Sequence, residues 1–169
     1  DLKAGVPENS LAAIEASCLA GLPIELDVRI LGDRTVVVFH DKDLKRVAND
    51  LRRLSNLGKA DISKISLLGT AERIPTLAQT LDLVAGRVPL LIEIKNEHHH
   101  AGALEQRLYQ QIKNYQGEFA VISFNPISLS WFARRHPEIL RGQTASHKPV
   151  LRLDYLAPVY AGLKHLAFN

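Results

Sequence analysis

Two carboxylates two positions apart, a histidine closing an apolar run, and a later acidic–basic pair are the residues of this chain best suited to chemistry. Glu25 and Asp27 stand in Glu25-Leu26-Asp27-Val28. Residues i and i+2 of a strand point to one face, so the two carboxylates share a face. The run Val36-Val37-Val38-Phe39 leads into His40-Asp41, which reads as a buried strand ending on an imidazole and a carboxylate. In Val88-Pro89-Leu90-Leu91-Ile92-Glu93-Ile94-Lys95, Glu93 and Lys95 share one face while Ile92 and Ile94 take the other. Carboxylates from two strands are suitable oxygen ligands for a hard divalent cation. A histidine that titrates near neutrality can give or take a proton. Each residue also has a plainer reading: Glu25 and Asp27 as polar residues on a solvent-facing strand, His40 as structural, and Lys95 as a salt-bridge partner near Glu93.

The elements that must position these side chains follow from local signals. Asn9 or Ser10 caps a helix over Leu11 to Ala20, and Gly21 suits its C-terminal turn. Pro23 then opens the first strand. Only Leu31-Gly32-Asp33-Arg34 links it to the second, too short for a parallel crossover. The pair is therefore predicted to be an antiparallel hairpin turning at Gly32-Asp33. Counting outward, Leu31 pairs with Arg34, Asp27 with Val38 and Glu25 with His40, which gathers both carboxylates and the imidazole on one face. A one-residue offset would move His40 to the other face.

Residues 42–64 are polar and basic without clear periodicity and read as an excursion over the surface. Thr76 and Gln79 form a capping box, and Gly86 closes that helix. Leu104, Leu108, Ile112 and Tyr115 make a helical stripe stopped by Gly117. A strand is predicted at Phe119–Ser123, a helix from Asn125-Pro126 to before Pro137, a short strand around Ile139-Leu140, and another at 163–168.

The 169 residues fit one domain spanning 1–169, with 46% apolar and 23% charged residues. A net charge of +3 without a basic cluster argues against a nucleic-acid partner. No apolar run approaches the roughly 20 residues of a membrane span. The single cysteine, Cys18, lies in an apolar helical stretch and reads as a small buried thiol, and cytoplasmic localisation is the default expectation. Strands alternating with helices argue for a parallel sheet with helices outside, and inward charged residues on several strands favour a closed barrel. A whole (β/α)8 barrel typically takes about 250 residues. The expected fold is thus α/β, a TIM-type barrel incomplete in this chain, with the first strand and the last strands absent.

Taken in order, Pro7-Glu8-Asn9-Ser10, Glu25-Leu26-Asp27-Val28, Val38-Phe39-His40-Asp41, Ile74-Pro75-Thr76-Leu77, Ile92-Glu93-Ile94-Lys95 and Val121-Ile122-Ser123-Phe124 resemble the signature blocks of glycerophosphodiester phosphodiesterases. The resemblance implies a TIM-type barrel, a divalent cation, Mg2+ or Ca2+, and hydrolysis of a small glycerophosphodiester to glycerol 3-phosphate and an alcohol. It implies that Glu25, Asp27 and Glu93 hold the metal, that His40 is one of two catalytic histidines, that Lys95 lies in the phosphate site, and that Glu8 borders the same pocket. The family carries a His-Arg-Gly block ahead of Pro-Glu-Asn. Its spacing falls immediately before Asp1, so a second histidine is expected to be missing and the 169-residue molecule alone to be inactive.

The chemistry suits those residues: a phosphodiester is anionic and repels nucleophiles, and a cation on oxygen ligands offsets that charge. Two other readings stay open, a phospholipase D-like lipid phosphodiesterase on the same barrel and a non-catalytic barrel that binds phosphate esters. His98-His99-His100 is a poor chelate and reads as a solvated loop. Ser123 lacks a nearby base, which argues against a serine hydrolase. Trp131, Phe132 and Arg134-Arg135 read as helix packing with an exposed basic edge.

Overall fold

A computed structural model describes residues 6–97 and 101–145. The expected strand at 163–168 and the His98-His99-His100 loop lie outside the described residues. Helix α1 (Leu11–Leu19) starts at Ser10, whose hydroxyl accepts from Ala13 N, and ends before Gly21 at φ +65°. Strands β1 (Ile24–Ile30) and β2 (Val36–Val38) form an antiparallel hairpin. Short helices α2 (Lys45–Ala48) and α3 (Lys59–Ile62) flank a 3-10 turn at Leu54–Asn56. Then follow α4 (Leu77–Val84), β3 (Leu90–Ile94), α5 (Ala103–Ile112), β4 (Phe119–Ser123), α6 (Pro126–Arg135) and β5 (Arg141–Gln143). The Thr76–Gln79 capping box and the Asn125 cap ahead of Pro126 form as expected.

Among the described residues the five strands make one sheet in the order β2-β1-β3-β4-β5. β1, β3, β4 and β5 run parallel. One face is apolar: Leu26, Val28, Val38, Ile92, Ile94 and Val121 are buried against Ile14, Leu81, Leu108 and Phe132 of the helices. Cys18 is buried in the same layer. That layer is the α/β helix–sheet core the alternation requires. The opposite face of β1 and β3 carries Glu25, Asp27 and Glu93.

Three expectations are corrected. The hairpin pairs Val28 with Val38, Arg29 with Val37 and Ile30 with Val36, one residue off the expected register. Its turn holds three residues, because Leu31 N donates to Thr35 O at 2.9 Å and Arg34 takes φ +68°. Asp33 braces this turn by accepting from Thr35 N at 2.9 Å, and a Cβ on Gly32 would lie 2.4 Å from the Ser55 carbonyl oxygen. Asp27 O therefore accepts from Phe39 N at 2.8 Å, so the pairings of Asp27 with Val38 and Glu25 with His40 do not occur, and His40 stands beyond the paired residues.

The stretch read as a surface excursion instead closes its own core. Leu44, Val47, Leu54, Leu57 and Ile62 are buried with Leu31 and Val37 of the hairpin and Phe39 just after it. Helical pieces this short present no repeating period to the eye. The last described strand lies at Arg141–Gln143 rather than at Ile139-Leu140. Ile139 is buried among the helices while Leu140 is exposed, and a three-residue polar strand lacks apolar alternation.

Candidate active site

Parallel pairing sets Asp27 directly beside Glu93. Glu25 stands two residues before Asp27 on the same face. One carboxylate oxygen from each of the three lies within 4.8 Å of the others. Asp27 and Glu93 are buried and Glu25 is open to solvent. Three such groups repel one another unless a cation lies among them. Lys95, two residues beyond Glu93, supplies one: its Nζ is 3.1 Å from Asp27 Oδ1 and 2.7 Å from Glu93 Oε1. One ammonium is thus shared between two of the three carboxylates. Burial works against the Lys95 charge, but the Glu93 and Asp27 carboxylates outweigh it and hold the ammonium above its ordinary pKa. Glu25 moves upward too, through the protein around it and then the charges of Asp27 and Glu93, with Lys95 and His40 offsetting part. Oxygen donors of this kind, crowded and incompletely neutralised, fit a hard divalent cation.

Asn9 joins the cluster in a role its sequence position did not suggest. Ser10 alone caps α1. Asn9, at φ +56°, donates from Nδ2 to Asp27 Oδ2 at 2.8 Å. The available signal was redundancy, since one cap suffices and Asn9 was left over.

The imidazole of His40 has its side chain half exposed and lies within electrostatic reach of Glu25. Its Nδ1 is 2.7 Å from Asp41 Oδ1. Arg46 Nε donates to Asp41 Oδ2 at 2.7 Å. Burial pushes the Asp41 carboxyl up, but hydrogen bonds from Arg46 and His40 outweigh it and hold the group below its ordinary range. An ionised carboxylate only accepts, so Nδ1 carries the hydrogen and Nε2 stays outside this contact. Arg46 Nη2 also donates to Glu8 Oε1. Glu8 is thus joined to the His40 side of the site rather than to the three carboxylates.

Ser123 donates its hydroxyl to Ile94 O at 2.8 Å, a structural bond between β4 and β3. Trp131 is buried, with the Arg135 guanidinium 5.1 Å above its ring. No helix among the described residues is long and apolar enough to cross a membrane.

Residues 2–162 match the model of the glycerophosphoryl diester phosphodiesterase family. A glycerophosphodiester phosphodiesterase of Caldanaerobacter subterraneus subsp. tengcongensis is 33% identical over 147 residues, covering 81% of this chain and 60% of that protein. One from Bacillus altitudinis is 33% identical over 153 residues with the same coverages of 81% and 60%. The chain thus spans about three fifths of the length of these curated relatives. In fold it superposes on a phosphodiesterase of Oleispira antarctica, solved in complex with the product sn-glycerol-3-phosphate, with a TM-score of 0.78 at 24% identity, over 91% of this chain and 67% of that one. The neighbours of this family share the TIM-barrel fold. By the match over residues 2–162, this chain belongs to the glycerophosphoryl diester phosphodiesterase family.

Proposed function

We propose that this protein hydrolyses glycerophosphodiesters to glycerol 3-phosphate and an alcohol in a metal-dependent reaction. The observation that carries the reading is the convergence of Glu25, Asp27 and Glu93, with ligand oxygens within 4.8 Å of one another and Lys95 beside them. Glu25, Asp27 and Glu93 would hold a divalent cation, Mg2+ or Ca2+. Bound there, the cation would offset the negative charge of the phosphodiester and polarise its phosphoryl oxygens. Lys95 binds a phosphate oxygen as a point charge. His40 takes the proton from the attacking oxygen or delivers one to the departing alkoxide as the phosphorus–oxygen bond breaks. Asp41 keeps the reacting nitrogen, Nε2, turned outward, and Glu8 borders the pocket through Arg46.

The test is hydrolysis of glycerophosphocholine by the full-length protein with Mg2+, with Ca2+ and with EDTA, alongside lysophosphatidylcholine. Release of glycerol 3-phosphate that stops with EDTA is expected. Turnover undiminished by EDTA would remove the metal from the mechanism. Turnover of lysophosphatidylcholine alone would replace this reading with the lipid phosphodiesterase.

A further inference from the structure

An exposed imidazole past the end of a strand has little packing to locate it. His40 follows β2 (Val36–Val38) by two residues and leaves 50% of its side chain in solvent. General acid–base catalysis nonetheless demands hydrogen-bond precision at the reacting nitrogen. Something other than the core must supply that precision, and two guanidinium groups converge on this residue from different elements.

Arg29, in β1, comes from the backbone side. Its Nε donates to His40 O at 2.7 Å, Nη1 to Lys95 O at 3.4 Å and Nη2 to Glu97 Oε1 at 3.0 Å. One planar fork thereby ties the segment just after β2, which carries His40, to the segment just after β3, which carries Lys95. Its side chain is only 13% exposed, so the fork is held in place. Arg46, in α2, comes from the side-chain end. It grips Asp41, and the other oxygen of Asp41 grips His40 Nδ1. Glu8 holds Arg46 from behind.

We propose that Arg29 and Arg46 are positioning residues that act through His40, Arg29 fixing its backbone against β3 and Arg46 fixing the ring orientation and tautomer by way of Asp41. The proposal rests on His40 being the acid–base group. The hydrogen bonds and ion pairs of the two arginines go to His40, Lys95 O, Glu97, Asp41 and Glu8 and not to Glu25, Asp27 or Glu93, so cation binding should not require them. Lysine cannot substitute at either place: an ammonium is a point donor without the flat fork that spans separate acceptors.

The experiment uses the full-length protein with Arg29→Lys, Arg46→Lys and Asp41→Asn, each alone and each combined with His40→Ala. Alone, each variant is expected to lower kcat about 10- to 100-fold, the size of outer-shell losses, with KM and divalent-cation affinity unchanged. In the His40→Ala background the same changes should cost nothing further, because groups that act as a unit are not additive. Nitrogen-15 shifts of the His40 ring should show one tautomer in the wild type and in Arg29→Lys, and a mixture in Arg46→Lys and Asp41→Asn. Losses that persist in full without His40, or that fall on KM alone, would overturn the proposal. If the wild type turns over no glycerophosphodiester, the functional reading fails, and the ring shifts alone then judge the clamp: an unchanged tautomer in both Arg46→Lys and Asp41→Asn would overturn it.

Discussion

Asp27 and Glu93 are 6% and 7% exposed and sit on strands paired residue for residue, whereas His40 leaves half its side chain in solvent on a loop held by arginines. The first region gains its geometry from the ladder and its tension from like charges. The second gains its geometry from directional hydrogen bonds, each carboxylate there meeting a guanidinium. A cation-binding site needs donors that stay close although they repel, and rigid strands supply that. A proton-transfer group needs access and orientation, and a tethered loop supplies both. The difference predicts that damage to the two regions can be told apart.

The largest effect is expected from Asp27→Asn. It removes a proposed ligand and one of the two carboxylates facing Lys95. Charge stabilisation by a bound metal is worth several kcal/mol, or about a thousandfold in rate. Activity should fall at least that far, and calorimetric titration should show divalent-cation binding lost with it. His40→Ala should cost about 10²- to 10⁴-fold, the range of general acid–base groups, and leave cation affinity intact. If His40→Ala weakened cation binding as much as Asp27→Asn, the division between the regions would collapse.

The tension in the carboxylate face has a thermodynamic signature. Glu25 titrates above its ordinary value, so folding favours its protonated form. Its ionisation therefore costs stability above the raised pKa, and that cost disappears as pH falls through it. Without divalent cations, Glu25→Gln should raise the melting temperature at neutral pH, and the gap to wild type should close on acidification. Adding Mg2+ or Ca2+ should then stabilise the wild type and leave the variant unmoved. A variant that melted lower without cations would show that charge crowding at Glu25 is absent.

Below the His40 loop lies the second core, and it separates supporting from reacting residues. Leu44 is fully buried there with Phe39. Leu44→Ala should cost about 2–5 kcal/mol by chemical denaturation, the range for buried leucines. The folded fraction should still bind the cation.

How much of this was legible in the sequence follows the same division. The carboxylate face was readable in halves because strand period is fixed at two: Glu25 shares a face with Asp27, and Glu93 shares one with Lys95, from sequence alone. What the sequence lacked was the interstrand register that sets Asp27 beside Glu93. The His40 corner was readable only as a histidine and an aspartate side by side. Arg29 and Arg46 reach it from 11 residues before His40 and five after Asp41, and no local period announces such contacts. Residues 42–64 failed for a related reason, since their apolar side chains converge from short pieces that change direction too often to form a stripe. Asn9 was hidden by a helix signal that Ser10 fully explains.

The hairpin register was missed through one residue, and that residue offers the smallest and sharpest test. A Gly-Asp pair invites a two-residue turn. The observed turn has three residues, and Arg34 takes the left-handed position at φ +68°, as the third residue of such turns does. A non-glycine side chain pays about 1–2 kcal/mol there, and glycine would return part of that gain to chain entropy. Arg34→Gly should therefore stabilise the protein by about 0.5–1 kcal/mol and leave the Phe39 amide, bonded to Asp27 O, protected from hydrogen exchange. Arg34→Val should do the opposite, because a branched Cβ resists positive φ, and exchange at Phe39 should quicken. Since that bond sets where the chain leaves β2 for His40, activity should fall with Phe39 protection in Arg34→Val while cation binding holds. Loss of cation binding in step with Phe39 protection would mean that the carboxylate face depends on the hairpin after all.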